Sequence, residues 1–316
     1  MENIKVSVIM TCYNQENYIK KAVDSVLSQQ ADFNYEIIIS DDCSRDSTPE
    51  IIKEYQSRHP DKIRLVLRDK NVGISRNWYE ALCLAKGEYV TTLEGDDYWV
   101  SDKKLQLQAD FLDSHKEFAG VTHRRHIVDD NGKIYNFFTA DMFPKNDKVT
   151  FKNLSKGVIF PYNSCMHRNF FPALGQKEYD FVTHNRSIAD FPLTMLVLNQ
   201  GDVHVLPDIL SVYRIAGDTK KQQSYTSSHN TVQQFEDMVN VLDACKSYGF
   251  PKFNFGYAYA SWSFMPSLEL FLAKNRSEIK KILALVPKAS KKHIPYMWFY
   301  YVMRMLKFEI HKRRNK

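Results

Sequence analysis

The sequence predicts an α/β fold: a mostly parallel central sheet flanked by helices, followed by a helical C-terminal extension. Three observations predict it. Short β-branched runs alternate with helix-period segments over the first hundred residues, three of those runs end in polar or acidic clusters, and the alternation stops after residue 118.

Taken in order, Val6 to Met10 reads as a strand, and Gln15 to Gln29 carries helical periodicity through Ile19, Ala22, Val23, Val26 and Leu27. Tyr35 to Ser40 is a second strand, ending at Asp41-Asp42. Ser47-Thr48-Pro49-Glu50 combines a capping hydroxyl, a first-turn proline and an acid, so a helix starts there. Ile63 to Leu67 is a third strand, Ile74 to Lys86 a helix, and Glu88 to Leu93 a fourth strand. This βαβαβαβ order implies parallel strands, right-handed crossovers and helices on both faces.

Beyond residue 118, Phe118 to Lys133 reads as two strands and an Asp-Asn-Gly turn, and residues 136–160 as an aromatic, loop-rich insertion. Asn163 to Arg168 reads as a returning strand. A helix opens at Ile188 to Leu193 and runs to about Gln200, Gly217 to Ser228 is a polar loop, and Val232 to Tyr248 and Glu269 to Leu285 are helices. The expected organisation is a βα half over residues 1–117, a second half of the same domain over 118–230, and a basic helical extension over 231–316.

Composition narrows the function classes. A hydrophobic share of 44% and a charged share of 25% are those of an ordinary globular protein. Five cysteines, an odd number without CxxC spacing, read as reduced thiols. Met1 to Lys5 leads directly into a strand, so no signal peptide is expected and the expected location is cytoplasmic. The net charge of +6 is unevenly spread: Lys274 to Lys316 holds 13 Lys/Arg against Glu278 and Glu309, while the rest has 30 Lys/Arg against 35 acids. An acidic body with a basic tail argues against a nucleic-acid binder, whose basic footprint lies on the folded domain. Tyr296 to Met303 is an aromatic run too short to span a bilayer, which takes about 20 residues. Two readings of 294–316 stay open: peripheral contact with an anionic membrane surface, or packing on the protein body or on a second subunit of a homo-oligomer.

Ligands of parallel sheets bind outside the carboxyl ends of the strands. Thr11-Cys12-Tyr13-Asn14, Asp41-Asp42-Cys43-Ser44 and Glu94-Gly95-Asp96-Asp97 follow three strands and converge on one crevice. Clustered carboxylates are costly unless a cation neutralises them, and hard oxygen ligands suit Mn²⁺ or Mg²⁺ carried with substrate phosphates. The competing reading has Asp97 or Ser101 capping the helix that carries Leu105, Ala109 and Leu112. No GxGxxG follows the first strand and no Walker loop occurs, against a dinucleotide or P-loop enzyme. Asn71-Val72-Gly73 reads as a turn with Gly73 at positive φ. Tyr13 packing on the first helix, Asp41 capping a turn and Trp99 as wall or core are the structural alternatives. His123, His126 and His167 lack metal spacing and read as structural.

Val6 to Asn14, Glu36 to Ser44, Asn71-Val72-Gly73 and Leu93 to Trp99, in this order and spacing, resemble the family-2 glycosyltransferases of the Rossmann-like GT-A fold over roughly residues 4–215. The resemblance implies an inverting, Mn²⁺- or Mg²⁺-dependent transfer of a sugar from a nucleotide donor, most often UDP-linked. The implied acceptor is a hydroxyl of a glycan or lipid-linked molecule in surface polysaccharide biosynthesis. It further implies that Thr11 and Tyr13 flank the uracil, that Asp41 accepts from its N3–H, and that Asp96 lies near ribose and metal. Asp97 would hold the metal against the diphosphate, and Arg76 and Asn77, beside Asn71 and Gly73, would help with nucleotide or sugar. Asp190 falls at the position of the catalytic base, with helix capping as its alternative.

Two departures stand out. Glu94-Gly95 replaces Asp and a small polar residue of many relatives, and Ala216 stands where many carry a histidine, so the protein does without it or uses His184, His204 or His229. A sugar-phosphate nucleotidyltransferase would want a Gly-rich basic loop after the first strand, which Thr11 to Asn14 is not. A catalytically impaired relative is opposed by the presence of Asp41, Asp96, Asp97 and Asp190.

Overall fold

A computed structural model describes residues 3–129, 131–135, 147–157, 160–215 and 229–303. The chain divides into two compact units, residues 1–148 with 160–219 and residues 149–159 with 220–316.

In the first unit, β1 (Ile4–Cys12), α1 (Ile19–Leu27), β2 (Asn34–Asp41), α2 (Thr48–Arg58), β3 (Ile63–Leu67), α3 (Ile74–Leu82) and β4 (Tyr89–Glu94) alternate as predicted. They form a parallel array in the order β3-β2-β1-β4. Every residue of β2 after Asn34 is buried, and a strand apolar on both faces must be covered on both. On one face Val8, Met10, Ile37 and Ile39 share a core with Ile19, Val23 and Ile52 of the helices. α1 begins at Ile19 and not at Gln15, because Asn14 takes a left-handed conformation (φ 53°) that turns the chain first.

The second half of this unit adds β5 (Tyr98–Trp99), α4 (Lys104–Ser114), β6 (Gly120–Val128), β7 (Ile134–Tyr135), β8 (Lys148–Val149), β9 (Met166–Arg168) and β10 (Val203–Arg214). The sheet continues β4-β9-β6-β10-β5, with β9 antiparallel to both neighbours and β10 parallel to β6, so it is mixed but mostly parallel. The two strands expected between Phe118 and Lys133 are one nine-residue strand followed by the turn and the short β7. The strand runs unbroken through the polar stretch His123 to His126, whose surroundings supply partners: Thr122 Oγ1 meets Ser164 Oγ at 3.0 Å, and Arg125 donates to Asn163 Oδ1 at 2.9 Å. The segment from Asn163 resolves into a 3-10 turn at Tyr162–Ser164 and three residues of strand. α4 starts at Lys104 with no side-chain cap, so neither Asp97 nor Ser101 caps it. His123 and His167 are buried, as a structural role requires: His167 lies 3.0 Å from the Tyr162 hydroxyl, and burial holds its ring at about 4.

The second unit is helical: Phe151–Ser155, Thr231–Tyr248, Phe255–Trp262, Phe264–Leu272 and Arg276–Leu285, then a 3-10 turn at Lys288–His293 and helical residues 294–303. The single helix expected from Glu269 to Leu285 is broken. Lys274 is left-handed (φ 58°), and Asn275 starts a new helix by accepting from the Glu278 N–H. Phe235, Leu242, Tyr259, Ile282 and Met297 are buried in this unit. Among the described residues no helix is long and apolar enough to cross a membrane. Ala216, the loop expected at Gly217 to Ser228 and residues 304–316 lie outside the described residues.

Candidate active site

Strand register assembles the site. Thr11 pairs with Ser40 on one side and Glu94 on the other, and Cys12 pairs with Asp41, so the carboxyl ends of β2, β1 and β4 finish level. Two cross-links tie them: the Gly95 N–H donates to the Thr11 carbonyl at 2.9 Å, and the Asp42 N–H to the Cys12 carbonyl at 3.0 Å. Gly95 allows this approach, since a Cβ there would collide with Gln15 Oε1 and lie 2.8 Å from Ile19 Cδ1. Tyr13, just past β1, is 42% exposed, so its ring faces solvent and is not absorbed by packing on α1.

The two aspartates after β2 divide the work. Asp41, buried, accepts from the Ser44 N–H at 2.9 Å, from the Ser44 hydroxyl and from the Cys12 thiol, which is the turn-capping role read as its alternative. Asp42 pins the neighbouring loop: its carboxylate accepts from the Val72 N–H at 2.7 Å and the Gly73 N–H at 2.9 Å. Burial raises the Asp42 carboxyl, and those two N–H bonds with Arg186 and Arg68 oppose the rise. Gly73 has φ 92°, as its turn required. Asn71 is held between the Asp42 carbonyl and Arg186, whose guanidinium donates to its backbone and side-chain oxygens. Arg76 lies on the exposed side of α3 in a pair with Glu80 at 2.6 Å. Asn77 is buried and ties α3 to β2, donating to the Ser40 carbonyl at 3.0 Å and accepting from the Ser40 hydroxyl at 2.6 Å.

At the end of β4, both Asp97 oxygens are engaged. Oδ1 accepts from the Arg214 N–H at 2.8 Å and Oδ2 from Asn163 Nδ2 at 2.7 Å. Asn163 in turn accepts from Arg125, whose guanidinium lies 4.1 Å from the centre of the Tyr213 ring. Arg214 donates from Nε to the Asp96 carbonyl at 2.9 Å, fixing the backbone of the acidic turn to the end of β10. Burial, with Asp96 and Asp190 nearby, lifts the Glu94 carboxyl to about 8. Burial also lifts Asp97 well above the usual carboxylate range, helped by Asp96 and Glu94. Arg125 opposes both, and burial lowers its own value while Asp97, Tyr213, Glu94 and Asp190 support its charge. Sequence reasoning missed Arg125. Its only signal was an arginine pair inside a strand.

Asp190 is the first residue of the helix Asp190–Gln200, with Ala189 in the cap position, and its Oδ1 accepts from the Phe191 N–H at 2.8 Å. It is open to solvent yet crowded by protein, the situation of a side chain on a crevice wall. The crowding raises its carboxyl, opposed by the Phe191 N–H and Arg125. Its influence on Glu94 places it on the same crevice as the β4 acids. His204 stands at the opposite end of β10 from Arg214, stacked on Phe111, and so cannot serve there.

Among the described residues no three His, Cys, Asp or Glu side chains form a ready metal cage. A Mg²⁺-type site that shares its ion with substrate phosphates needs only one or two protein carboxylates. Asp96 and Asp97 supply that donor set, and their mutual repulsion is what a divalent cation would relieve. The residues fit the ion.

The model of glycosyl transferase family 2 matches residues 7–175, more than half of the chain and all three strand-end clusters. The chain belongs to glycosyl transferase family 2. Rv1520 of Mycobacterium tuberculosis is 34% identical over 209 residues, 66% of this chain and 58% of that protein, so the chain spans less than two thirds of that relative. TuaG of Bacillus subtilis, named for teichuronic acid biosynthesis, is 40% identical over 107 residues, covering 34% of this chain and 41% of TuaG. Among solved structures, Staphylococcus aureus TarS 1-349 with UDP-GlcNAc superimposes with a TM-score of 0.62 at 20% identity, over 99% of this chain and 93% of that one. That likeness shows the fold, and this family-2 chain has the expected GT-A architecture.

Proposed function

We propose that the chain is an inverting, divalent-metal-dependent glycosyltransferase that moves a sugar from a UDP-linked donor to a hydroxyl of a glycan or lipid-linked acceptor of a surface polysaccharide. One observation carries the reading: adjacent, level strand ends put Thr11, Asp41 and the Glu94 to Asp97 acids side by side, with Asp190 on the same crevice. TarS, solved with UDP-GlcNAc, supports a uridine donor, and TuaG, named for teichuronic acid, supports a surface polymer as product.

In this reading exposed Tyr13 stacks on the uracil beside Thr11, and Asp41 uses remaining acceptor capacity for N3–H. Asp42 holds Asn71 and Gly73 in place for the donor, Asn77 holds α3, and Arg76 reaches the nucleotide by leaving Glu80. Asp97 and Asp96 hold Mn²⁺ or Mg²⁺, which when bound offsets the negative charge of the departing diphosphate. Asp190 takes the acceptor hydroxyl proton as the new C–O bond forms at the anomeric carbon. The old bond breaks with its electron pair leaving on the diphosphate, and a single displacement inverts the centre. A carboxyl raised toward working pH is the better base.

A panel of nucleotide sugars, each with and without Mn²⁺, tests this. Turnover of a UDP-sugar that needs metal and is lost in Asp97→Ala supports the proposal. Metal-independent binding without turnover would mark an impaired relative, and release of pyrophosphate from UTP and a sugar phosphate a nucleotidyltransferase.

A further inference from the structure

We propose that helical residues 294–303, with the lysines just before them, dock the second unit onto an anionic lipid surface. The helix is fixed in rotation by its packed side: Met297 is fully buried, Tyr301 stacks on Phe264 at 5.0 Å, and Trp298 meets the same ring edge-on at 5.9 Å. The side turned away from these contacts is outward-facing and apolar. Tyr296 is 50% exposed, Phe299 64%, Val302 44% and Met303 38%. At 100° per residue these four fall within an arc of about 120°, and no charged residue interrupts it. An exposed helix face in water normally carries charge, and a contiguous apolar one marks an interaction surface.

Charge selects the occupant. From Lys288 to Met303 the chain has three lysines and no acid, and Lys288, Lys291 and Lys292 are exposed in the turn that leads into the helix. A second copy seated face to face would bring Lys288, Lys291 and Lys292 against their own counterparts, because a twofold interface presents one patch to itself. Phosphate headgroups match that charge, and aromatic rings suit the boundary between headgroup and acyl chain. The apolar stretch is about half the length a spanning helix needs, so it lies in the surface and does not cross it.

The test is sedimentation of the full chain with vesicles of phosphatidylcholine alone or mixed with phosphatidylglycerol. Binding to the anionic vesicles only, weakening as salt rises, is expected. Y296S/F299S should weaken it at least about tenfold through lost apolar burial, and K291E/K292E at least about tenfold through charge. All four side chains are exposed, so both variants should keep the wild-type melting temperature; the lipid and salt comparisons use wild-type protein alone. No binding to anionic vesicles would overturn the proposal. So would full binding by Y296S/F299S, which would assign attachment to the basic sequence alone. Self-association abolished by Y296S/F299S, without lipid binding, would make a second copy the occupant and also overturn it. The readout is partition and not turnover, so it stands or falls separately from the glycosyl-transfer reading.

Discussion

Asn163 shows how a residue without charge can govern an acidic site. Its amide accepts from Arg125 and donates to Asp97 Oδ2, so it transmits the orientation of a half-buried guanidinium to a carboxylate proposed to hold metal. Loss of such a supporting bond costs metal affinity on the order of 10–100-fold. Asn163→Ala is therefore expected to raise the Mn²⁺ concentration for half-maximal activity by at least about tenfold, read from a metal titration at saturating donor; an unchanged titration would refute the linkage. Asp190 makes a different claim. Removing a general base costs on the order of 10²–10⁴-fold in rate. Asp190→Asn should lose that much transfer while donor affinity, measured by calorimetry, stays within about twofold, since its proposed partner is the acceptor hydroxyl. Full transfer by this variant would remove Asp190 from the mechanism.

At the level of elements, the loop between β3 and α3 depends on one glycine. Gly73 has φ 92°, and a Cβ there would collide with Arg186 Cγ and stand 3.0 Å from the Arg186 carbonyl. Left-handed strain costs about 1–3 kcal/mol for a residue with a side chain. Gly73→Ala should lower stability in urea unfolding by at least about 1 kcal/mol and weaken donor binding more than acceptor binding. Equal stability would mean that Arg186 moves aside freely. The same loop shows what the sequence could and could not convey. Its turn and its glycine were legible from Asn71-Val72-Gly73, because positive φ is a local demand. The residues that hold it, Asp42 and Arg186, lie about 30 and 110 positions away along the chain and leave no local trace. The parallel half, β1 to β4, was legible within a few residues because doubly buried strands read as unbroken apolar runs. β6 was misread as two strands because its polar stretch is paid for by partners on the distant β9 region, and the break at Lys274 hid because nothing in Ala273-Lys274-Asn275 but one asparagine signals a stop.

Over the whole molecule, the most unusual charge is Lys104, at the start of α4. It is fully buried in the first unit, donating to Thr91 Oγ1 at 2.9 Å and Gln108 Oε1 at 2.7 Å, with its ammonium 4.1 Å from the Trp99 ring centre. None of these partners is a carboxylate, and burial lowers it from 10.5 to about 7. The folded value lies below the unfolded one, so between them the unfolded chain binds the extra proton. Stability from this group therefore rises as pH climbs from about 7 toward about 10, with a slope near 1.4 kcal/mol per pH unit, and below about 7 its penalty is complete and flat. Lys104→Met removes the slope. It also takes a donor from Gln108 Oε1, a cost of about 1–3 kcal/mol that does not change with pH. Urea unfolding of both proteins at pH 6, 8 and 9 should thus show the wild type gaining about 1.4 kcal/mol on the variant between pH 8 and 9. Parallel curves across that interval would mean that Lys104 keeps its proton in the folded core, with the Trp99 ring and two neutral oxygens sufficient to hold it.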